Sequence, residues 1–324
     1  SFLGWAPIPP KTPKQLAEVS ARLCRLLRAE VEEQMAAGST ALTDLARDWR
    51  HLLFPEASDA QFADGYAQAV TFGLLTARAS DISLANGIED AARRLRQTSS
   101  LIGTALRILT DDPQNQATLK TSLGTLRRVL EEVHWPTISK GDADAWLYFY
   151  EDFLEVYDNK LRKLPGSYYT PPEVVTAMVR LTDEALEGTL GQPYGLASQA
   201  VTVADPAVGT GTFLLGVLRR IAATVESDRG AGAVPGAVGA AMDRLIGFEL
   251  QFGPFAVAQL RLVAELQEVL GPHGAVPPLK LFITDTLGNP FQQQQQLGST
   301  YAPIARSREE ANAIKRTEPL TVVI

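Results

Sequence analysis

A short apolar run that ends in Asp205-Pro206 and passes through two glycines into a helix-like stretch constrains this chain more than any other feature. Residues 200–204 are typical of a buried strand, and residues 213–225 carry apolar side chains at helical spacing. Glycine permits the left-handed backbone of a tight turn and has no Cβ to keep a ligand from the backbone. The helix start behind such a turn presents backbone N–H groups. The stretch 205–214 therefore predicts a cradle for a small molecule.

Two familiar phosphate-binding cradles do not fit this stretch. A dinucleotide fingerprint needs a third glycine three residues after the second, and Leu214 stands at that position. A P-loop needs Gly-Lys-Ser/Thr at its end, and no lysine lies nearby. A strand-to-helix turn that binds nothing is the remaining alternative.

The stretch Asp-Pro-Ala-Val-Gly-Thr-Gly-Thr-Phe-Leu at 205–214 resembles the first motif of S-adenosylmethionine-dependent DNA methyltransferases of the adenine-N6 type. That motif reads Asp-Pro-Ala-x-Gly-x-Gly-x-Phe-Leu, and it is matched completely. The resemblance implies that the residues binding S-adenosyl-L-methionine include Asp205, Pro206, Ala207, Gly209, Thr210, Gly211, Thr212 and Phe213.

Composition sets the broad class of the protein. The chain has 324 residues, of which 45% are hydrophobic and 21% charged, and it is long enough for two domains. No apolar run approaches the length of a membrane span, and the first residues lack a signal pattern. The presence of a single cysteine, Cys24, excludes an internal disulfide, which fits a reducing cytoplasm. Cys24 is expected to be packed in a core. The three histidines are scattered, so we expect no metal site.

Net charge bears on nucleic-acid binding. The formal charge is −7, whereas a domain that grips DNA alone usually carries a basic surface. The composition therefore argues against this chain gripping DNA alone. The resemblance implies that contact with double-stranded DNA comes through a recognition domain downstream of this sequence.

The first half of the chain is predicted to be helical. Thr12 is expected to cap a helix that begins at Pro13, with Gln15 completing a capping box, and hardly any strand alternation occurs before Ser167. Residues 1–165 therefore predict a helical N-terminal domain, which we interpret as a packing scaffold. The aromatic run at 148–157 predicts a helix with a buried aromatic face; stacking on bases is the alternative, but the run lacks interleaved basic residues.

Three softer motifs in this half carry a second resemblance. The segments 53–56 (Leu-Phe-Pro-Glu), 62–68 (Phe-Ala-Asp-Gly-Tyr-Ala-Gln) and 150–154 (Tyr-Glu-Asp-Phe-Leu) resemble the region before the methyltransferase domain in type I-like, single-chain restriction-modification enzymes of the type ISP or IIG kind. The resemblance implies a coupler between this domain and upstream nuclease or helicase modules.

The segment just before the strand and turn carries a Tyr-Thr-Pro element. Locally, Thr170 is expected to cap a helix, with Pro171 at its first position and Glu173 closing a capping box. In adenine-N6 methyltransferases a Tyr-Thr-Pro element precedes the first motif and receives the methionine end of the cofactor. The resemblance thus adds Tyr169, Thr170 and Pro171 to the cofactor-binding residues.

Two further acidic strand ends complete the expected site. Glu249 ends a short strand at 245–249, and an acid there can bind both ribose hydroxyls. It lies farther than the usual spacing of about 20 residues from the glycines because a Gly/Ala-rich stretch, 229–239, intervenes as a flexible loop or poorly formed helix. Residues 248–262 resemble the family's second motif, and 279–287 predict a third strand ending in Asp285. The resemblance implies that Glu249 holds the ribose and that Asp285 accepts from the adenine amino group. It also adds Leu250, Thr286 and Leu287 to the cofactor-binding residues.

The catalytic motif of this family, Asn/Asp/Ser-Pro-Pro-Tyr/Phe, follows the fourth strand. Asn289-Pro290-Phe291 lacks the second proline and follows the third strand, so we interpret it as a loop. Residues 320–324 predict the fourth strand, and the catalytic residues are expected just after Ile324. The chain is interpreted as part of a longer protein, inactive in transfer by itself.

The sequence as a whole predicts an α/β protein. A helical N-terminal domain (1–165) is followed by the first half of a Rossmann-like S-adenosylmethionine-dependent methyltransferase domain (166–324), with a mostly parallel sheet. The predicted function is the cofactor-binding part of a DNA adenine-N6 methyltransferase in a restriction-modification or phage-defence enzyme. A methyltransferase acting on protein glutamine or RNA, and a non-catalytic helical scaffold with a vestigial cradle, are the alternatives.

Overall fold

A computed structural model describes residues 9–52, 56–139, 144–158, 170–271, 274–291 and 302–324. Tertiary contacts divide the chain into two units, one of Ser1–Ser167 with Gln292–Glu309 and one of Tyr168–Phe291 with Glu310–Ile324. The lead-in before Pro9, the start of the motif at 53–56, Tyr169 and the loop predicted from Gln292 lie outside the described residues.

The first unit is built from helices. They are α1 Pro13–Ala36, α2 Thr40–Leu52, α3 Asp59–Ala79, α4 Ile88–Thr98, α5 Ser100–Thr110, α6 Pro113–Thr118, α7 Lys120–Glu131, α8 Trp135–Ser139 and α9 Ala145–Tyr157. Thr12 caps α1 as predicted, because its Oγ1 accepts from the Gln15 N–H at 3.2 Å. The Gln15 side chain accepts from the Lys11 N–H instead of that of Thr12, so the predicted capping box is wrong by one residue. For the residues of this half that the structure describes, the predicted helical character is confirmed.

Helix α9 buries an aromatic face, as the sequence predicts. Phe149, Phe153 and Tyr157 are buried, while Tyr148 on the same helix is 49% exposed. The Phe153 and Phe72 rings contact edge to face, with centroids 5.0 Å apart. These aromatic side chains stabilise the helical core, and the alternative of base stacking finds no support in their burial.

A partly buried polar cluster joins three helices of this unit. The Tyr157 hydroxyl donates to Asp64 Oδ1 at 2.5 Å, Gln68 donates to Asp64 Oδ2 at 3.0 Å, and Arg28 lies 3.3 Å from Asp64 Oδ1. Burial raises the pKa of the Asp64 carboxyl, and the hydrogen bond from Tyr157 and the charge of Arg28 oppose that rise. Cys24 is buried, as predicted, and burial raises the pKa of its thiol to about 12.

The second unit alternates strands and helices. Its elements are α10 Pro172–Gly188, β1 Val203–Asp205, α11 Thr212–Arg229, α12 Val234–Ala241, β2 Leu245–Glu249, α13 Phe252–Leu270, β3 Lys280–Ile283, α14 Ala302–Thr317, which contributes to both units, and β4 Val322–Val323. Two short 3₁₀ turns lie at Gly195–Ala197 and Ala231–Ala233. The Gly/Ala-rich stretch is thus largely helical in α12, whose Val238 and Ala241 are buried.

The described strands form one parallel sheet in the order β3-β2-β1-β4. Val203 and Leu245 pack into a core with α10–α12, whereas Ala204 and Ile246 pack on the other face with Ala311 of α14. The chain builds outward from β1 to β3 and then crosses back to β4 on the other side of β1. In such a doubly wound sheet, ligands bind beyond the carboxyl ends of the strands where the order reverses. The predicted α/β fold class is confirmed, and the reversal lies beside β1.

In the part of the chain that the structure describes, no helix is both long and apolar enough to cross a membrane. Among the same residues, no three His, Cys, Asp or Glu side chains come together as a metal site.

Candidate cofactor site at the carboxyl ends of the strands

The glycine turn directly follows β1 and is closed by local hydrogen bonds. Asp205 Oδ1 accepts from the Ala207 N–H at 3.1 Å, and the Gly211 N–H donates to the Val208 carbonyl at 2.8 Å. Gly209 and Gly211 have φ of +53° and +82°, in the region that favours glycine. The predicted strand, turn and helix are therefore confirmed, with α11 beginning at Thr212.

The two glycines differ in what surrounds them. A Cβ at Gly211 would lie 3.2 Å from the Cβ and 3.3 Å from the Cα of Ala258 on α13, so that position is closely packed. A Cβ at Gly209 would meet only the Ala207 carbonyl oxygen, at 3.8 Å, among the described residues. Gly211 thus fits the turn against α13, and the space beside Gly209 is open to a ligand.

Glu249, the last residue of β2, is tied to the turn. Its Oε2 accepts from the Gly209 N–H at 3.0 Å, and its Oε1 accepts from the Gln251 N–H at 2.7 Å. Each carboxylate oxygen has a second lone pair, so the group retains acceptor capacity for a ligand. Burial raises the pKa of Glu249, against the effect of the backbone N–H groups that bind its carboxylate.

Asp205 is a second acid beneath the turn. It is only 3% exposed, and burial raises the pKa of its carboxyl to about 7; the Ala207 N–H opposes the rise, and the negative charge of Glu249 adds to it. The carboxylates of Asp205 and Glu249 therefore lie close enough to repel each other when both are ionised.

The loop after β3 is joined to those after β1 and β2. The Thr284 N–H donates to the Glu249 carbonyl at 2.9 Å, and the Thr286 hydroxyl donates to the Pro206 carbonyl at 2.6 Å. These bonds bring together the three strand ends that the sequence predicts to form one site.

Three predicted site residues at this edge are exposed to solvent. Strand β3 ends at Ile283, two residues before Asp285, so the predicted strand end at Asp285 is too late. Asp285 Oδ1 accepts from the Leu287 N–H at 2.9 Å. Leu250 and Leu287 are 45% and 95% exposed. Lys315 of α14 donates to the Asp285 carbonyl at 2.6 Å and holds this loop from the other side. With this arrangement Asp285 can bind the polar edge of a flat ring while Leu250 and Leu287 contact its apolar face.

Thr170 and Pro171 stand just before α10, and part of their prediction is wrong. The helix begins at Pro172 with Pro171 as its N-cap and with no side-chain capping bond, so Thr170 neither caps it nor shares a capping box with Glu173. Helix α10 packs against α11, where a Cβ at Gly216 would lie 2.9 Å from Val175 Cγ1. A role for Thr170 and Pro171 in binding the cofactor stays a prediction.

Arg261 is the site residue that the sequence reasoning missed. It is 2% exposed on α13, and its Nη1 donates to the Thr210 carbonyl at 2.8 Å and to Thr212 Oγ1 at 3.0 Å. The available signal was an arginine flanked by Leu260 and Leu262 in the run that resembles the family's second motif.

A comparison with protein families supports the sequence resemblance. The family model described as N-6 DNA Methylase matches residues 142–262. The match spans the glycine turn, β2 and most of α13. The predicted resemblance to adenine-N6 DNA methyltransferases is thereby confirmed for this stretch.

Solved structures share the fold over nearly the whole chain. A nuclease-deletion mutant of the Type ISP restriction-modification enzyme LlaGI, in complex with a DNA substrate mimic, is 18% identical with a TM-score of 0.62, over 97% of this chain and 24% of that one. The ATP-dependent Type ISP restriction-modification enzyme LlaBIII bound to DNA is 19% identical with a TM-score of 0.63, over 96% and 20%.

A cryo-EM structure of a DrdV–DNA complex is similar to the same extent. It is 20% identical with a TM-score of 0.62, over 96% of this chain and 28% of that one. The present chain therefore spans less than a third of each of these longer chains. At this level of identity the likeness concerns the fold. Residues 142–262 thus match the N-6 DNA Methylase family model, and the chain as a whole has a fold similar to that of segments of these longer proteins, two of them Type ISP restriction-modification enzymes.

Proposed function

We propose that the residues around the glycine turn bind S-adenosyl-L-methionine as part of a DNA adenine-N6 methyltransferase. The observation that carries this proposal is the bond between Glu249 Oε2 and the Gly209 N–H at 3.0 Å. It joins an acid at the end of β2 to the turn after β1, beside the point where the strand order reverses. A nucleoside with an extended substituent would lie across this edge.

The residues at this edge fit the parts of such a cofactor. Glu249 has acceptor capacity for the two ribose hydroxyls. Asp285 is exposed and would accept from the adenine amino group, with Leu250 and Leu287 against the ring. The open space at Gly209 and the hydroxyls of Thr210 and Thr212 remain for the amino-acid end. Tyr169, Thr170 and Pro171 are proposed to border that end, on the strength of the family resemblance alone.

The proposed contribution of this chain to transfer is positional. When bound, the cofactor supplies an electrophilic methyl group carried by a positively charged sulfur. Glu249 and Asp285 hold the nucleoside beside the turn, and the hydroxyls of Thr210 and Thr212 orient the amino-acid end. Fixing one reactant in this way lowers the entropic barrier of displacement by the second. No residue of this chain is assigned to activation of the adenine.

The related structures and the sequence support a wider proposal for this chain. We propose that residues 1–165 couple the methyltransferase domain, residues 166–324, to further modules of a restriction-modification or phage-defence enzyme. The LlaGI and LlaBIII structures are of DNA-bound restriction-modification enzymes. We accordingly propose double-stranded DNA as the substrate, reached through a separate recognition domain, with nuclease or ATP-driven modules attached and with the cytoplasm as the place of action.

Titration of the full-length protein with S-adenosylmethionine tests the cofactor assignment against a scaffold with a vestigial cradle. Loss of a hydrogen-bonding acid should weaken binding by about 1–3 kcal/mol in Glu249→Ala and in Asp285→Ala. Glu187→Ala, which removes an exposed acid of α10, is the matched control and should bind as the wild type does. Absence of binding, or equal affinity in all four proteins, would instead support the scaffold.

A further inference from the structure

One face of helix α13 supports the glycine turn at two places. Ala258 lies against Gly211, where an added Cβ would come within 3.2 Å. Arg261, one helical turn later, donates from Nη1 to the Thr210 carbonyl at 2.8 Å and to Thr212 Oγ1 at 3.0 Å. A longer contact of 3.4 Å joins the same Nη1 to Thr210 Oγ1. The backbone and both hydroxyls of the turn are therefore held by one side chain that is 2% exposed.

The chemistry of arginine fixes the direction of these hydrogen bonds. A guanidinium only donates, so the threonine oxygens that it contacts must accept. Thr210 Oγ1 and Thr212 Oγ1 are 3.3 Å apart, and one of them can donate to the other. The hydroxyl hydrogen of the second is then directed away from the guanidinium. Both threonines are partly exposed, so this hydrogen can be offered to a ligand.

Charge around the turn indicates which ligand atom would take that hydrogen. Asp205 and Glu249 accept from the N–H groups of Ala207 and Gly209, and their carboxylates repel an anion that approaches those two residues. The positive guanidinium of Arg261 instead contacts the next part of the turn, at Thr210 and Thr212. A carboxylate would therefore be accommodated at the two threonines, where a hydroxyl hydrogen and a nearby positive charge both favour it.

We propose that Arg261 is a positioning residue, which orients the hydrogen-bonded pair of Thr210 and Thr212 so that one hydroxyl hydrogen is donated to the carboxylate at the amino-acid end of S-adenosylmethionine. This inference rests on the proposed function and deepens it. Arg261 does not touch the cofactor; it acts through the two hydroxyls and the backbone of the turn.

Two ligands that differ only in the carboxylate test the role. Affinities of the full-length protein for S-adenosylmethionine and for decarboxylated S-adenosylmethionine are measured by calorimetry. Arg261→Met should weaken binding of S-adenosylmethionine about tenfold or more and should not weaken binding of the decarboxylated analogue. Arg261→Lys, which keeps a donor and the charge, should recover part of the loss. Arg180→Met, a 68% exposed arginine on α10, is the control and should change neither affinity.

The possible failures are distinguishable. A wild-type protein that binds no S-adenosylmethionine overturns the proposed function itself. If the wild type binds and Arg261→Met binds within about twofold of it, or loses both ligands equally, the positioning role is wrong. Should Arg261→Met fail to fold, Thr212→Val provides the same comparison, because it removes the hydroxyl that accepts from Arg261. Equal loss of both ligands in Thr212→Val would also overturn the assignment.

Discussion

Alanine substitution at the two glycines of the turn should have unequal effects on stability. Gly211→Ala places an L-residue at φ +82°, which costs about 1–2 kcal/mol in the left-handed region. Its Cβ would also lie 3.2 Å and 3.3 Å from Ala258 atoms, inside ordinary contact distance, and such overpacking costs about 1–3 kcal/mol more. Gly209→Ala, at φ +53° with its nearest contact at 3.8 Å, has only the cost of the left-handed backbone. We therefore expect the free energy of unfolding to fall by about 2–5 kcal/mol in Gly211→Ala and by about 1–2 kcal/mol in Gly209→Ala.

The assay must report on the second unit. The tryptophans of this chain lie at 5, 49, 135 and 146, all in the first unit, so their fluorescence does not follow the turn. Hydrogen exchange of peptides that contain β1 and β2 gives the free energy of local opening there. Ala258→Gly provides a further check. It removes the Ala258 Cβ, the nearer of the two atoms that the new Cβ at position 211 would meet, and should restore part of the stability lost in Gly211→Ala. Equal effects of the two glycine substitutions, or no recovery with Ala258→Gly, would refute the packing argument.

Two other predictions concern the acids Asp205 and Asp64. The pKa of Asp205, about 7 in the folded chain against an ordinary 3.8, means that the folded state retains a proton that the unfolded chain releases, so stability falls as pH rises through this window. Between pH 5 and pH 7 the free energy of unfolding of the wild type should fall by about 2–3 kcal/mol more than that of Asp205→Asn. Urea unfolding followed by circular dichroism measures this at each pH. Parallel curves of stability against pH for the two proteins would contradict the prediction. In the helical unit, Tyr157→Phe removes a donor to Asp64 and should destabilise the unit by about 1–3 kcal/mol, more at high pH, where Asp64 is ionised. Tryptophan fluorescence measures this, and Tyr148→Phe, exposed on the same helix, should be silent.

The site could be predicted from the sequence where the signal is local. Glycines at 209 and 211 between an apolar run and helical spacing predict a turn because only glycine adopts its backbone freely. The acid at Glu249 was predictable because it ends a short apolar strand. Each of these signals is contained within a few residues.

Features that depend on distant contacts were less accessible. Arg261 contacts a turn 51 residues away, and helical periodicity alone places charged side chains toward solvent. The start of α10 was misassigned by one residue because Pro171 and Pro172 both suit the first helical position. The stretch 229–239 is glycine-rich, yet much of it is helical because Val238 packs into the core of the second unit.

Methyl transfer to DNA tests the central claim most directly. The full-length protein is incubated with S-adenosylmethionine labelled in its methyl group and with unmethylated duplex DNA long enough to contain many short sites, in parallel with RNA and protein fractions. Nucleosides from the digested DNA are then separated and identified by mass spectrometry. The account predicts labelled N6-methyladenine with the wild type and a sharp decrease with Glu249→Ala. Label in protein or RNA and none in DNA would contradict it.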